Sequence, residues 1–223
     1  MALSRKQFEI ACKTFIHKCD SGDDPLYTQK HPAGWTWKEH PTYPGLGYMA
    51  RQITTTLRSQ EDNTRDTTES DDSVQEVEDV AVDASRPSPL SELINAQLWV
   101  VYAVTFQVPA FYFSAHRSNG VPLTLTEITK LSMFRQGTLP AHTGSTFALS
   151  TPDPAFALLS QGDHPTLGTP CWYLHPCNTA EVVGEIMDAV DCREWGEAER
   201  LSRWLEAWFS VVGNIVDLPR GER

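Results

Sequence analysis

Two apolar, β-forming runs, residues 97–106 and 110–115, stand three residues apart near the middle of the 223-residue chain. Trp99, Val100, Val101, Tyr102 and Val104 in the first, and Phe111, Tyr112 and Phe113 in the second, carry side chains that pack well on a pleated surface. Both runs are expected in a core sheet, with Pro109 marking a break or an edge position rather than a central ladder position. Upstream, residues 35–38 and 48–57 have the aromatic and β-branched content of strands. Pro41, Pro44, Gly45 and Gly47 between them predict a hairpin.

Helices are expected at both ends. Ser4 and Gln7 have capping-box spacing, with Leu3 and Phe8 placed as a hydrophobic staple. Phe8, Ala11, Cys12, Phe15, Ile16 and Cys19 then recur at helical steps, ending near residues 20–25. Near the end of the chain Trp195, Ala198, Leu201, Trp204, Leu205, Trp208 and Val212 keep the same spacing, and Gly213 stands where a left-handed cap would close the helix. Thr124 and Glu127 repeat the capping-box spacing ahead of Leu125, Ile128, Leu131 and Phe134, after a turn signal at Ser118-Asn119-Gly120. Residues 136–150 read as a loop. The pattern is α+β with an antiparallel sheet flanked by helices.

Residues 60–89 hold ten acids against two arginines and so carry most of the net charge of −11. With few large apolar side chains this stretch cannot offset its ordering entropy, and an acidic, disordered insert is expected at 59–90. A length of 223 residues suits one core, so 1–223 is expected to be a single domain around that insert. No basic stripe is present to hold a nucleic acid. The longest apolar stretch, near residues 98–106, is too short for membrane insertion. The odd set Cys12, Cys19, Cys171, Cys177 and Cys192, together with a polar, basic start, points to a reducing, cytoplasmic setting.

The densest run of reactive side chains is residues 163–179, which contains His164, Cys171, His175, Pro176, Cys177 and Asn178. Trp172, Tyr173 and Leu174 read as a short buried strand that Pro176 ends, leaving Cys177 at a strand end where a thiol can meet a partner. A nucleophilic cysteine and a partly buried cysteine beside a proline turn are equally consistent with these residue types. A zinc site using Cys171, Cys177 and His164 or His175 lacks the second short-spaced pair that such sites use. His175 is poorly placed to be a hydrolase base, being joined to the thiol through a rigid proline, and is expected to pack or hydrogen-bond to hold the turn. Cys171 and Cys177 do not have C-x-x-C spacing. Cys12 and Cys19 fit core packing, and Cys192 packing or none.

In chain order, Gln107-Val108-Pro109, Phe111-Tyr112-Phe113, Asn119-Gly120-Val121-Pro122-Leu123-Thr124, then His164-Pro165 with Leu167-Gly168 and Pro170, then His175-Pro176-Cys177 with Thr179, form an ordered set. This set, with Trp204-Leu205 and Trp208 to Gly213, resembles the autophagy-related protein ten family, conjugating enzymes of the ubiquitin-like autophagy system. The resemblance implies a ubiquitin-conjugating-enzyme-like core and a catalytic Cys177 on a turn supported by His175, Pro176 and Asn178. It implies that the activating enzyme, autophagy-related protein seven, passes autophagy-related protein twelve to Cys177 as a thioester, for transfer to a lysine of autophagy-related protein five. No metal or organic cofactor is implied. The setting would be cytoplasmic, with recruitment to the pre-autophagosomal structure. Ubiquitin-conjugating enzymes usually place His-Pro-Asn before their cysteine, whereas here Cys177 takes the third position, and Phe106 stands where the family can show Tyr. The rival readings are a lipid-conjugating relative of the autophagy-related protein three type, which Asn178-Thr179-Ala180 does not fit, and a non-catalytic interaction module of the same fold.

Overall fold

The computed structural model describes residues 2–21, 27, 30–58, 92–139, 148–150, 157–177, 179–190 and 194–218. The acidic insert expected at 59–90 lies outside them. Helix α1 (Arg5–Ser21) begins as its sequence requires: Gln7 N–H donates to Ser4 Oγ at 3.2 Å, and Ser4 N–H donates to Gln7 Oε1 at 2.9 Å. Its apolar stripe, Phe8, Ala11, Cys12, Phe15 and Cys19, is buried, and Leu3 joins the same cluster.

Strands β1 (Thr36–Lys38) and β2 (Tyr48–Thr56) form the expected hairpin. They are followed by β3 (Leu93–Ala103), β4 (Val108–Arg117), the single-turn helix α2 (Leu125–Ile128), β5 (Ala148–Ser150), β6 (Ala157–Asp163) and β7 (Pro170–Leu174). Helices α3 (Thr179–Asp188) and α4 (Glu197–Val212) complete the order. The strands make one antiparallel sheet in the order β1-β2-β3-β4-β7-β6-β5. Alternation along its centre sorts the side chains. Ile94, Ala96, Leu98, Val100, Phe111, Phe113 and Ala115 enter the main core, while Trp99, Val101, Ala110 and Tyr112 enter a smaller cluster with Tyr48, Ala50 and Cys171. Both faces of β3 and β4 are therefore apolar, and this explains their near-continuous apolar sequences.

Helices α1 and α4 pack on each other over the main core. Trp204 and Trp208 of α4 are fully buried; each such ring removes roughly 200 Å² from water, worth about 5 kcal/mol before ordering costs. Glu206, also buried, accepts from Tyr27 Oη at 2.6 Å and from Ser202 Oγ at 3.2 Å. Among the described residues no helix is long and apolar enough to cross a membrane.

Five local expectations need correction. Strand β3 stops at Ala103, not at Phe106, because residues 104–107 turn, with Gln107 at a φ of 54° and its N–H bonded to the Ala103 carbonyl. Pro109 lies inside β4 opposite Tyr102, so it marks no break, although it does stand clear of a central ladder position as expected. It is tolerated because β4 pairs with β7 only at Tyr112 and Phe113, so Pro109 lies beyond the end of that ladder. Residues 148–150, expected in a loop, form β5 at a sheet edge. Trp195 and Ala198 precede or face away from the buried stripe of α4, which starts from Gly196. Gly213 is right-handed at a φ of −62°, not left-handed. The chain leaves α4 through tighter turns, Asn214 N–H to Val211 and Ile215 N–H to Val212, and these satisfy the last carbonyls without a reversal. Strand β6 and helix α3 carry no sequence expectation at all.

The capping box on α2 is complete: Glu127 N–H donates to Thr124 Oγ1 at 3.4 Å and Thr124 N–H to Glu127 Oε2 at 2.8 Å. Thr124→Ala is expected to lower stability by about 1 kcal/mol, read as a lower urea midpoint at unchanged slope. An unchanged midpoint would mean that burial of Leu125 and Ile128 alone holds the helix.

Candidate active site at the end of strand β7

Along β7 the side chains alternate between the two clusters: Cys171 and Tyr173 toward the smaller one, Trp172 and Leu174 into the main core. The strand's last backbone bond to β6 comes one residue on, from His175 N–H to the Leu158 carbonyl at 3.1 Å. Pro176 has no N–H to continue the ladder. Extending the β4–β7 register from Tyr112↔Tyr173 sets Pro176 opposite Pro109, so neither strand can donate from these two positions. The chain then turns, Thr179 N–H bonding to the Pro176 carbonyl at 3.2 Å, and enters α3. Cys177 lies in this short link, as the sequence predicts. Asn178 lies outside the described residues, as does Cys192.

Exposure separates the thiols. Cys12, Cys19 and Cys171 are buried, while Cys177 is half-buried. Burial pushes the Cys12 thiol well above its usual range and those of Cys19 and Cys171 up to about 12, so all three stay protonated and inert at neutral pH. The Cys171 thiol is also spent as a donor to the Gly162 carbonyl at 3.4 Å.

His175 packs. Its ring meets Phe106 edge-to-face at 5.3 Å and lies 6.4 Å from Tyr173, and its buried Nδ1 has no hydrogen-bond partner. The wall it leans on is the 104–107 turn, which the sequence reading missed. That turn is anchored by Leu3 N–H donating to the Gln107 carbonyl at 2.8 Å, and Tyr102 Oη donates to the Leu3 carbonyl at 2.6 Å. Two segments distant in sequence thus brace the turn before Cys177. No glycine, proline or asparagine marks residues 104–107, so no local signal pointed to it.

The other singled-out residues lie elsewhere. His164 begins the hairpin between β6 and β7, at the opposite end of β7 from Cys177. Asn119 to Thr124 follow the far end of β4, about 30 Å of strand from Val108. Asn119 Oδ1 accepts from Val121 N–H at 3.1 Å, a turn-forming role. His164 is 1% exposed; its Nδ1 accepts from Thr166 N–H and Leu167 N–H, both at 3.1 Å. Its ring packs edge-to-face on Tyr48 at 4.9 Å and on Trp99 at 5.0 Å. This is a structural plug over the smaller cluster, and it sits at the other end of β7 from Cys177. Among the described residues no three metal-ligating side chains come together. The zinc reading has no geometry behind it.

The sequence of residues 7–222 matches the family described as autophagocytosis associated protein, active-site domain. It is 28% identical over 128 residues to a human protein named ubiquitin-like-conjugating enzyme ATG10, a match covering 57% of this chain and 51% of the relative. Proteins of the same name from Arabidopsis thaliana and Dictyostelium discoideum are 30% identical over 119 residues and 26% identical over 140 residues. Those matches cover 53% and 56% of this chain, and 47% and 52% of the relatives. The chain thus spans about half the length of the curated relatives it matches.

Burial among aromatic rings lowers the His164 imidazole from 6.5 to about 4. Between those values the unfolded chain binds a proton that the folded chain refuses. Stability is therefore fully present above pH 6.5 and falls as pH drops toward 4, by roughly 3 kcal/mol when complete. In His164→Asn this component is absent, so the stability gap between wild type and variant should narrow across that window in urea titrations. A gap independent of pH would show that the imidazole is not held neutral.

Proposed function

The chain belongs to the autophagocytosis-associated protein family, and we propose that it is a ubiquitin-like-protein conjugating enzyme of autophagy that works through a thioester on Cys177. The observation that carries this reading is the contrast among the thiols: Cys177 is half-exposed on a braced turn, while the other described cysteines are buried. A thiol that must accept an acyl group from one large partner and present it to another has to stand clear of its own core.

The reaction has two transfers. The Cys177 thiolate attacks the thioester carbonyl of the ubiquitin-like protein held on the activating enzyme, whose own thiolate leaves. An acceptor lysine amine then attacks the new thioester, forms an isopeptide bond, loses a proton and releases the Cys177 thiolate. His175 and Pro176 position the turn and take no proton in this scheme. The first turn of α3 starts two residues beyond the thiol; the Thr179 N–H is taken by the Pro176 carbonyl, and the N–H groups that follow it have no intrahelical partners. These are the backbone donors we assign to the oxyanion of each tetrahedral intermediate. The ordered motifs that resemble the autophagy-related protein ten family support autophagy-related protein twelve as the carried protein, autophagy-related protein seven as its activator and autophagy-related protein five as the acceptor.

Mixing the protein with activating enzyme, ATP and the ubiquitin-like protein tests this on gels run with and without reductant. Wild type and Cys171→Ser are expected to form a reductant-sensitive adduct, and Cys177→Ser none, or a reductant-resistant oxyester in its place. If Cys177→Ser still forms the reductant-sensitive adduct, or folded wild type forms none beside a charged activating enzyme, the carrier reading fails. In the first case another cysteine is the carrier, and in the second the interaction-module reading stands.

A further inference from the structure

Among the described residues, the positions with a left-handed backbone are glycines with a single exception, Gln107, at a φ of 54°. Glycine adopts that conformation freely, whereas a side chain with a Cβ is strained by it. Two backbone bonds of 2.8 Å hold Gln107 there, from its own N–H to the Ala103 carbonyl and from Leu3 N–H to its carbonyl. The side chain is exposed, and its amide has no hydrogen-bond partner among the described residues. A glycine would close the same turn without strain, and strain of this kind is kept where a side chain is used.

The turn stands beside the thiol. Phe106 meets the His175 ring at 5.3 Å, and carrying the β4–β7 register outward from Tyr112↔Tyr173 sets Val108 opposite Cys177. Gln107 is the next residue out. Between residues 104 and 109 only Thr105 and Gln107 have polar side chains, and none there ionises. Gln107 is the nearer of the two to the thiol in register, and the one held against strain.

We propose that Gln107 is a further catalytic residue of the second transfer, its Oε1 accepting a hydrogen bond from the attacking lysine amine. The proposal rests on the thioester reading above. The lysine arrives as an ammonium and gives one proton to solvent before it attacks. Its lone pair then forms the C–N bond, the C–S bond breaks toward Cys177, and a second proton leaves the nitrogen for solvent. A neutral amide takes neither proton. It holds one N–H while the lone pair faces the carbonyl carbon, turning a freely rotating side-chain end into an oriented nucleophile. The oxyanion is served separately, from the first turn of α3 on the chain that leaves Cys177.

The test is single-turnover discharge of the Cys177 thioester, onto the acceptor protein and onto free lysine, after charging by the activating enzyme. In Gln107→Gly, discharge onto both is expected to slow by roughly tenfold, the scale of one hydrogen bond lost from the transition state. The loss should lie in the maximal rate, not in the acceptor concentration that gives half of it. Charging, which involves no amine, should stay within about twofold of wild type. The urea midpoint should be no lower than that of wild type, because glycine holds the left-handed turn without strain. Gln107→Glu keeps an oxygen acceptor in place and should discharge at least as fast as wild type, and Thr105→Val should discharge like wild type. Wild-type discharge in Gln107→Gly or slow discharge in Gln107→Glu would overturn the proposal. So would a loss seen with the protein acceptor but not with free lysine, or one accompanied by a lower urea midpoint. If wild type never charges, the thioester reading itself fails and takes this proposal with it.

Discussion

The antiparallel register of β3 on β4 is the constraint on which the rest of the molecule depends. Ten consecutive residue pairs, from Ile94↔Arg117 to Ala103↔Val108, fix which side chains of the sheet's centre face each way. A slip of one residue would exchange Leu98 and Val100 for Trp99 and Val101 across the faces. The helices α1 and α4 would then meet the wrong surface, and the His164 plug would lose the rings it seats between. The same register also aims the 104–107 turn at the place where β7 ends.

The site follows from where pairing stops. With Pro109 and Pro176 brought opposite each other, β4 and β7 part beyond Tyr112 and Tyr173, and the chain after β7 is free to turn outward. A thiol inside the ladder would be buried as Cys171 is, with its acidity suppressed. A thiol past the ladder but unbraced would wander. The packing of His175 on Phe106 supplies the brace, and it draws its own rigidity from Leu3, Tyr102 and the left-handed Gln107. Exposure of the thiol and order of its turn are thus obtained from separate parts of the fold.

What could be read from the sequence was what is decided locally or by period. Ser4 with Gln7, and Thr124 with Glu127, announce helix starts because side chain and backbone satisfy each other within four residues. The apolar steps of α1 and α4 and the β-branched center of the sheet were equally plain, and so was the proline that frees Cys177. Strand β6 was hidden because Ser160, Gln161 and Gly162 carry no strand preference and are held by ladder bonds to β7. Helix α3 was hidden because Val182, Val183 and Gly184 weaken its propensity and only packing on the core stabilises it. The 104–107 wall was hidden for a third reason: its turn is imposed by a carbonyl contact with Leu3, about a hundred residues away in sequence.

Thr56 and Leu93, the last residue of β2 and the first of β3, are paired directly across the ladder. Their Cα atoms therefore stand about 5 Å apart, whatever chain runs between them. Closing a connection between two such points costs only about 0.6 kcal/mol more each time its length doubles. The sheet is accordingly almost indifferent to how many residues join these strands. Natural lineages can lengthen, shorten or rewrite this stretch without disturbing Cys177, and an experimenter can use the same junction to splice in a fluorescent or affinity domain while the half of the molecule that holds Cys177 folds as before.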